Sequence, residues 1–178
     1  MPFPIIATLI LFLALCAAVD LHARRIPNLV SGPAIVAGMA LNGLYFGADG
    51  LGASVAGLVT ATAILLAPFA LGGLGGGDVK MMGAVGALLG PRLALWGTAF
   101  GMVLGGLVML CHLARCGRLR EKLARIRAML TAALVTRSLS PLRASAADPG
   151  AIALPYSVPL ALGTLAVVAL RATGTVSP

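Results

Sequence analysis

The chain has 178 residues, of which 60% are hydrophobic and 10% charged, and its mean hydropathy is +1.03. A soluble domain is typically about a quarter charged. This composition therefore excludes an ordinary water-soluble globule and leaves room for about six membrane spans of ~20 residues, without a separate soluble domain. A net charge of +8 would raise nucleic acid as a partner for a soluble chain. Here the few aromatics do not interleave with the basic residues, which fall between apolar runs, so the expected contacts are anionic lipid headgroups and no nucleic acid.

The first apolar run covers 4–19. No Lys or Arg precedes it and Arg24 and Arg25 follow, the reverse of a secretory signal, so the run reads as a retained first span with its N-terminus outside. Asp20 closes this run, in the stretch Asp20-Leu21-His22-Ala23-Arg24-Arg25-Ile26-Pro27-Asn28. Pro27 and Asn28 then open the second run, 29–46, with proline suited to a first helical turn. A third run covers 51–71. After it comes Gly72-Gly73-Leu74-Gly75-Gly76-Gly77-Asp78-Val79-Lys80. So many glycines cannot make a comfortable helix interior, since each costs ~1 kcal/mol relative to alanine, but they permit positive φ and close backbone approach. A phosphate loop is excluded, because the Gly-Lys-Ser/Thr ending is missing and an acid stands where phosphate would sit.

The fourth run, 79–91, is short for a span. The fifth, 93–113, carries Gly97, Gly101 and Gly105 at four-residue spacing, as the fourth carries Gly86 and Gly90. That spacing lets helix backbones pack closely in lipid. Residues 115–137 read as an amphipathic helix on the inner leaflet, with Leu119, Leu123, Ile126, Leu130 and Leu134 on one stripe and Arg118, Lys122, Arg125 and Arg127 mostly off it. A Ser-, Pro- and Ala-rich return over 138–150 leads to the last run, 151–170. Cys16, Cys111 and Cys116 form no C-x-x-C pair and have no clustered histidines, so no metal site is expected. His22 reads as a solvated loop residue and His112 as a polar helix-end residue.

Of the 13 Lys and Arg residues, all but Arg92 and Arg171 fall in segments 20–28, 72–80 and 114–150. This asymmetry places those segments in the cytoplasm. The expected fold is an all-α polytopic membrane bundle of about six transmembrane helices, one unit over 1–178 with both termini outside and a basic cytoplasmic loop at 114–150. Asp20 and Asp78, two of only five acidic residues, then lie on the same face of the membrane. Alone, Asp78 could cap the fourth helix and Asp20 could pair with Arg24. Together they read as a functional pair, because hydrocarbon penalises an ionisable group that nothing requires.

Gly75-Gly76-Gly77-Asp78 matches the G-x-G-D signature of intramembrane aspartyl proteases, and with Lys80 it resembles the type IV prepilin peptidase family. Asp20 through Ile26-Pro27-Asn28 is similar to that family's other aspartate motif, and Pro155-Tyr156-Ser157-Val158-Pro159 to its C-terminal segment. The chain lacks the paired-cysteine cytoplasmic region of the larger, N-methylating members. It thus resembles the short peptidase-only branch associated with tight-adherence (Flp-type) pili, for which methyltransferase activity is not expected. His22 stands where the family commonly has a basic residue, and Ser157 where it usually has glycine. The resemblance implies removal of the basic leader from prepilins or pseudopilins at the inner face of the cytoplasmic membrane. It makes Asp20 and Asp78 the catalytic pair, with Gly75, Gly77, Lys80, Pro27 and Asn28 around them.

Two neighbouring carboxylates do not both ionise cheaply, so such a pair shares a proton and titrates in two macroscopic steps. One acid activates water while the other polarises the scissile carbonyl, with no cofactor and no covalent intermediate. Lys80 either stabilises the charge of the pair or snorkels to phosphate. The rival reading is a small proton- or cation-coupled transporter, which would place acids nearer mid-bilayer and often show an internal repeat; a preflagellin peptidase is the alternative within the protease class.

Overall fold

A computed structural model describes residues 1–23, 26–70, 73–136 and 156–174. Among these, the regular elements are all helices: α1 (Phe3–Ala23), α2 (Asn28–Ala70), α3 (Gly76–Leu89), α4 (Pro91–Arg115), α5 (Leu119–Thr136) and α6 (Ser157–Ala172). Helices α1, α2 and α4 are long and apolar enough to cross a membrane. Large apolar side chains such as Phe3, Leu11, Val36, Leu44, Val59 and Val103 face outward. That arrangement suits lipid and would be a liability in water. The protein is an all-α membrane bundle.

The second and third apolar runs form one helical stretch that doubles back on itself. Gly47, at φ 64 and ψ −144, breaks it in a conformation suited to glycine. Asn42 before the break hydrogen-bonds Ser54 after it, at 3.0 Å. In a straight helix twelve residues would separate them by roughly 18 Å, so the two arms lie side by side.

Helix α3 is held between these arms. A Cβ at Gly38, on the first arm, would come within 2.9 Å of the Ala87 backbone, and one at Gly57, on the second, would collide with the Gly86 carbonyl. Nearly every side chain of α3 is buried, from Asp78 and Val79 through Met81, Met82, Val85 and Leu88. This accounts for the short fourth run. Fourteen residues make ~21 Å of helix, less than the ~30 Å hydrocarbon core. Neighbouring protein, rather than lipid, surrounds most of it.

Gly90 is a corner rather than a helix-packing residue, contrary to expectation. Its φ is +79 and its N–H bonds the Gly86 carbonyl at 2.9 Å. Pro91 then occupies the first turn of α4, where its missing N–H costs nothing. The glycines of α4 do pack as the spacing predicts, against α6. Cβ atoms at Gly97, Gly101 and Gly105 would meet Thr164, Leu160 and Tyr156. At the far end of α4, Gly117 (φ +67) donates to Ala114 and Arg118 to Leu113, each at 3.1 Å. This is the crossed pattern that stops a helix at a left-handed glycine.

The amphipathic segment is helical over Leu119–Thr136, and Leu123 and Ile126 on its apolar stripe are exposed. Residues 138–150 and the start of the sixth run, 151–155, lie outside the described residues, as do Arg24 and Arg25. The sixth run is helical from Ser157 onward.

Candidate active site

Asp20 sits in the last turn of α1, Asp78 is the third residue of α3, and Ser157 is the first residue of α6. The reversal of α2 at Gly47 returns the chain to the end from which it left. All three residues are therefore at the same end of the bundle. Asp20 and Asp78 are each only 8% exposed, and they lie near enough for their charges to interact. The buried thiol of Cys16, one turn before Asp20 on α1, is within electrostatic reach of both.

The two carboxylates are held differently. Asp20 Oδ2 accepts a short hydrogen bond, 2.5 Å, from the hydroxyl of Ser157, a fully buried side chain. Asp78 Oδ2 accepts a longer one, 3.3 Å, from the Gly75 N–H. Asp78 is thus not the N-cap of α3. Gly75 holds that position in extended conformation (φ −78, ψ 148), and Asp78 reaches back to it from the third helical position.

The glycine run differs from expectation in its conformation. Gly76 and Gly77 are helical, and none of Gly75, Gly76 and Gly77 has a positive φ. What glycine supplies here is proximity. A Cβ at Gly77 would lie 3.1 Å from the Ile26 backbone nitrogen, and one at Gly75 would lie 3.3 Å from Asp78 Oδ2. The start of α3 is pressed against the link between α1 and α2, and this packing brings Asp78 toward Asp20.

Lys80 and Asn28 reinforce that junction. The ammonium of Lys80 donates to Asn28 Oδ1 at 2.7 Å and so ties α3 to the start of α2. The Pro27 carbonyl accepts from Val30 and Ser31, at 3.0 and 3.5 Å, as α2 begins. His22 lies in α1, exposed, with its ring nitrogen 3.2 Å from the Ala18 carbonyl.

Three residues at the site escaped the sequence reading in these positions: Ser157 as the partner of Asp20, Cys16 beside both acids, and Tyr156. The last lies in the turn ahead of α6, against Gly105 of α4. Burial and then the Asp78 charge push its phenol above the ordinary value. The Tyr-Ser pair in the C-terminal motif was the available signal, but nothing in the sequence says that α6 starts beside α1.

A cavity of about 280 Å³ opens next to these groups, lined by Leu21 of α1, Leu104 and Val108 of α4, and Tyr156, Pro159 and Leu162. Helix α4 continues past its last lining residue, Val108, to Arg115, roughly 10 Å of helix. Among the described residues no group of three His, Cys, Asp or Glu side chains gathers to hold a metal.

This arrangement, two buried acids from separate helices at one end of a membrane bundle, meets a sequence match over most of the same helices. The family model for type IV leader peptidases covers residues 7–110, a stretch that includes both aspartates. The chain belongs to the type IV leader peptidase family. It is accordingly a membrane peptidase acting on a protein substrate. No curated protein and no solved structure matches it.

Proposed function

We propose that the protein is an aspartic endopeptidase that removes the basic leader of type IV prepilins or pseudopilins at the cytoplasmic face of the inner membrane, with Asp20 and Asp78 as its catalytic pair. The observation that carries this reading is the placement of two buried acids, within electrostatic reach of each other, at the ends of α1 and α3. Positive-inside asymmetry supports the cytoplasmic orientation of that end.

In this mechanism one carboxyl is protonated and the other ionised, since a close pair in a poorly hydrated site resists double ionisation. The ionised acid takes a proton from water as its oxygen attacks the scissile carbonyl carbon. The protonated acid gives its proton to the carbonyl oxygen. Collapse of the resulting diol breaks the C–N bond: the second acid, now ionised, takes back a proton from one hydroxyl as the carbonyl re-forms, and the leaving nitrogen takes up the proton held by the first acid, which restores the pair. The apolar cavity beside Leu21 and Tyr156 suits hydrophobic residues following the cleavage point, while the leader remains toward the aqueous side.

The test is leader removal from a Flp-type prepilin by purified protein in detergent, followed by gel mobility. Asp20→Asn and Asp78→Asn should each lower the rate by at least ~10³-fold, the order expected when a member of an acid–base pair is lost, with unfolding temperature little changed. Substantial cleavage by either variant would remove the pair from the chemistry.

A further inference from the structure

Ser157 has a buried hydroxyl directed at one oxygen of Asp20. The contact joins residues 137 positions apart in sequence, at 2.5 Å, with the serine side chain fully buried. An O–H···O distance this short is characteristic of a bond to a charged acceptor. Buried carboxylates without fixed partners can rotate about χ2, a broad torsion, whereas a hydrogen bond to one oxygen selects an orientation.

We infer that Ser157 is a positioning residue that holds Asp20 by its Oδ2 and leaves Oδ1 to exchange the proton with water. The inference rests on the functional reading above. Donation by the buried hydroxyl fixes one oxygen of the carboxylate, so Ser157 acts through Asp20 on its geometry. Asp78 has no such side-chain donor among the described residues; it has the longer Gly75 bond. Among the described residues, Cys16 on its own helix and Asp78 on α3 lie within electrostatic reach of Asp20, and Tyr156, in the turn before α6, within reach of Asp78. None of these supplies the bond that Ser157 makes. Lys80 is engaged with Asn28.

Cleavage kinetics of Ser157→Ala, Ser157→Gly and Ser157→Thr, alongside thermal unfolding, test the inference. Loss of the hydroxyl should lower kcat about tenfold or more with KM within about twofold, the pattern of an interaction acting on the chemical step. The Ser157→Thr variant, which keeps a hydroxyl, should retain the rate. Equal losses in the alanine and threonine variants, a rise in KM in place of the fall in kcat, or a fall in rate that only follows unfolding temperature, would overturn the role. Wild-type protein that fails to cleave the prepilin would sink the functional reading and this inference together. Normal wild-type cleavage with an unaltered alanine variant would sink the inference alone.

Discussion

Asn42 is buried, and its amide donates toward the carbonyls of Gly38, Ala87 and Leu88 and the hydroxyl of Ser54, at 3.0 to 3.1 Å. Ala87 and Leu88 lie in the last turn of α3, where carbonyls have no partner within the helix. Ser54 adds a bond of 2.6 Å to Ala87. One side chain thus caps α3 and joins both arms of α2 to it, at the opposite end of α3 from Asp78. Asn42→Leu would leave Leu88 without this donor and should cost about 1–3 kcal/mol of stability, the penalty for stranding a buried polar group. Chemical unfolding in detergent measures this, and unchanged stability would show that the network is dispensable. Leader removal by the variant, at a temperature where it remains folded, should fall much less than in either aspartate variant.

The helices meet through glycines, and not all glycines are equivalent. On α4, a Cβ at Gly101 would lie 2.7 Å from the Leu160 backbone, while one at the neighbouring turn position Gly106 meets nothing within 4 Å. Gly101→Ala should therefore force α4 and α6 apart and destabilise by roughly 1–3 kcal/mol, as overpacking does. Gly106→Ala should be neutral or stabilising by up to ~1 kcal/mol, through helix propensity. A comparison of unfolding temperatures decides the matter; equal shifts would mean that the α4–α6 contact is looser than the backbone indicates. Because Tyr156 and Ser157 enter α6 at this contact, Gly101→Ala should also lower cleavage. Packing glycines and site residues are thus mechanically linked here.

At the level of the whole molecule, the charge asymmetry makes a claim that the native cysteines can test. Cys116 is exposed in the turn after α4, and Cys16 is buried beside the aspartates. Cys111 is also exposed but lies within the apolar part of α4, where a membrane-impermeant reagent has no access. An impermeant maleimide should label the protein in inverted membrane vesicles and not in intact spheroplasts, and Cys116→Ala should remove most of that labelling. Labelling of Cys116 from the outside would reverse the proposed orientation and place the acids at the wrong face for a cytoplasmic leader.

Composition and apolar periodicity were enough to give the all-helical membrane class, and the runs at 4–19, 29–46, 51–71, 79–91, 93–113 and 151–170 correspond to helical segments wherever the chain is described. The reason is that hydrocarbon demands internally bonded backbone and apolar surface, and both demands are written locally. The G-x-G-D stretch and its earlier aspartate partner were legible for a related reason: a carboxylate beside an apolar run is costly and therefore conspicuous. The tertiary structure alone decided that short α3 is shielded between the arms of α2, that Gly75 and Gly77 serve close packing instead of positive φ, and that Lys80 binds Asn28. It also decided that Ser157 holds Asp20 across 137 residues of sequence. Each of these depends on which helix lies beside which, a choice made by backbone contacts between distant glycines and by buried polar groups finding partners, and neither leaves a periodic mark in the chain.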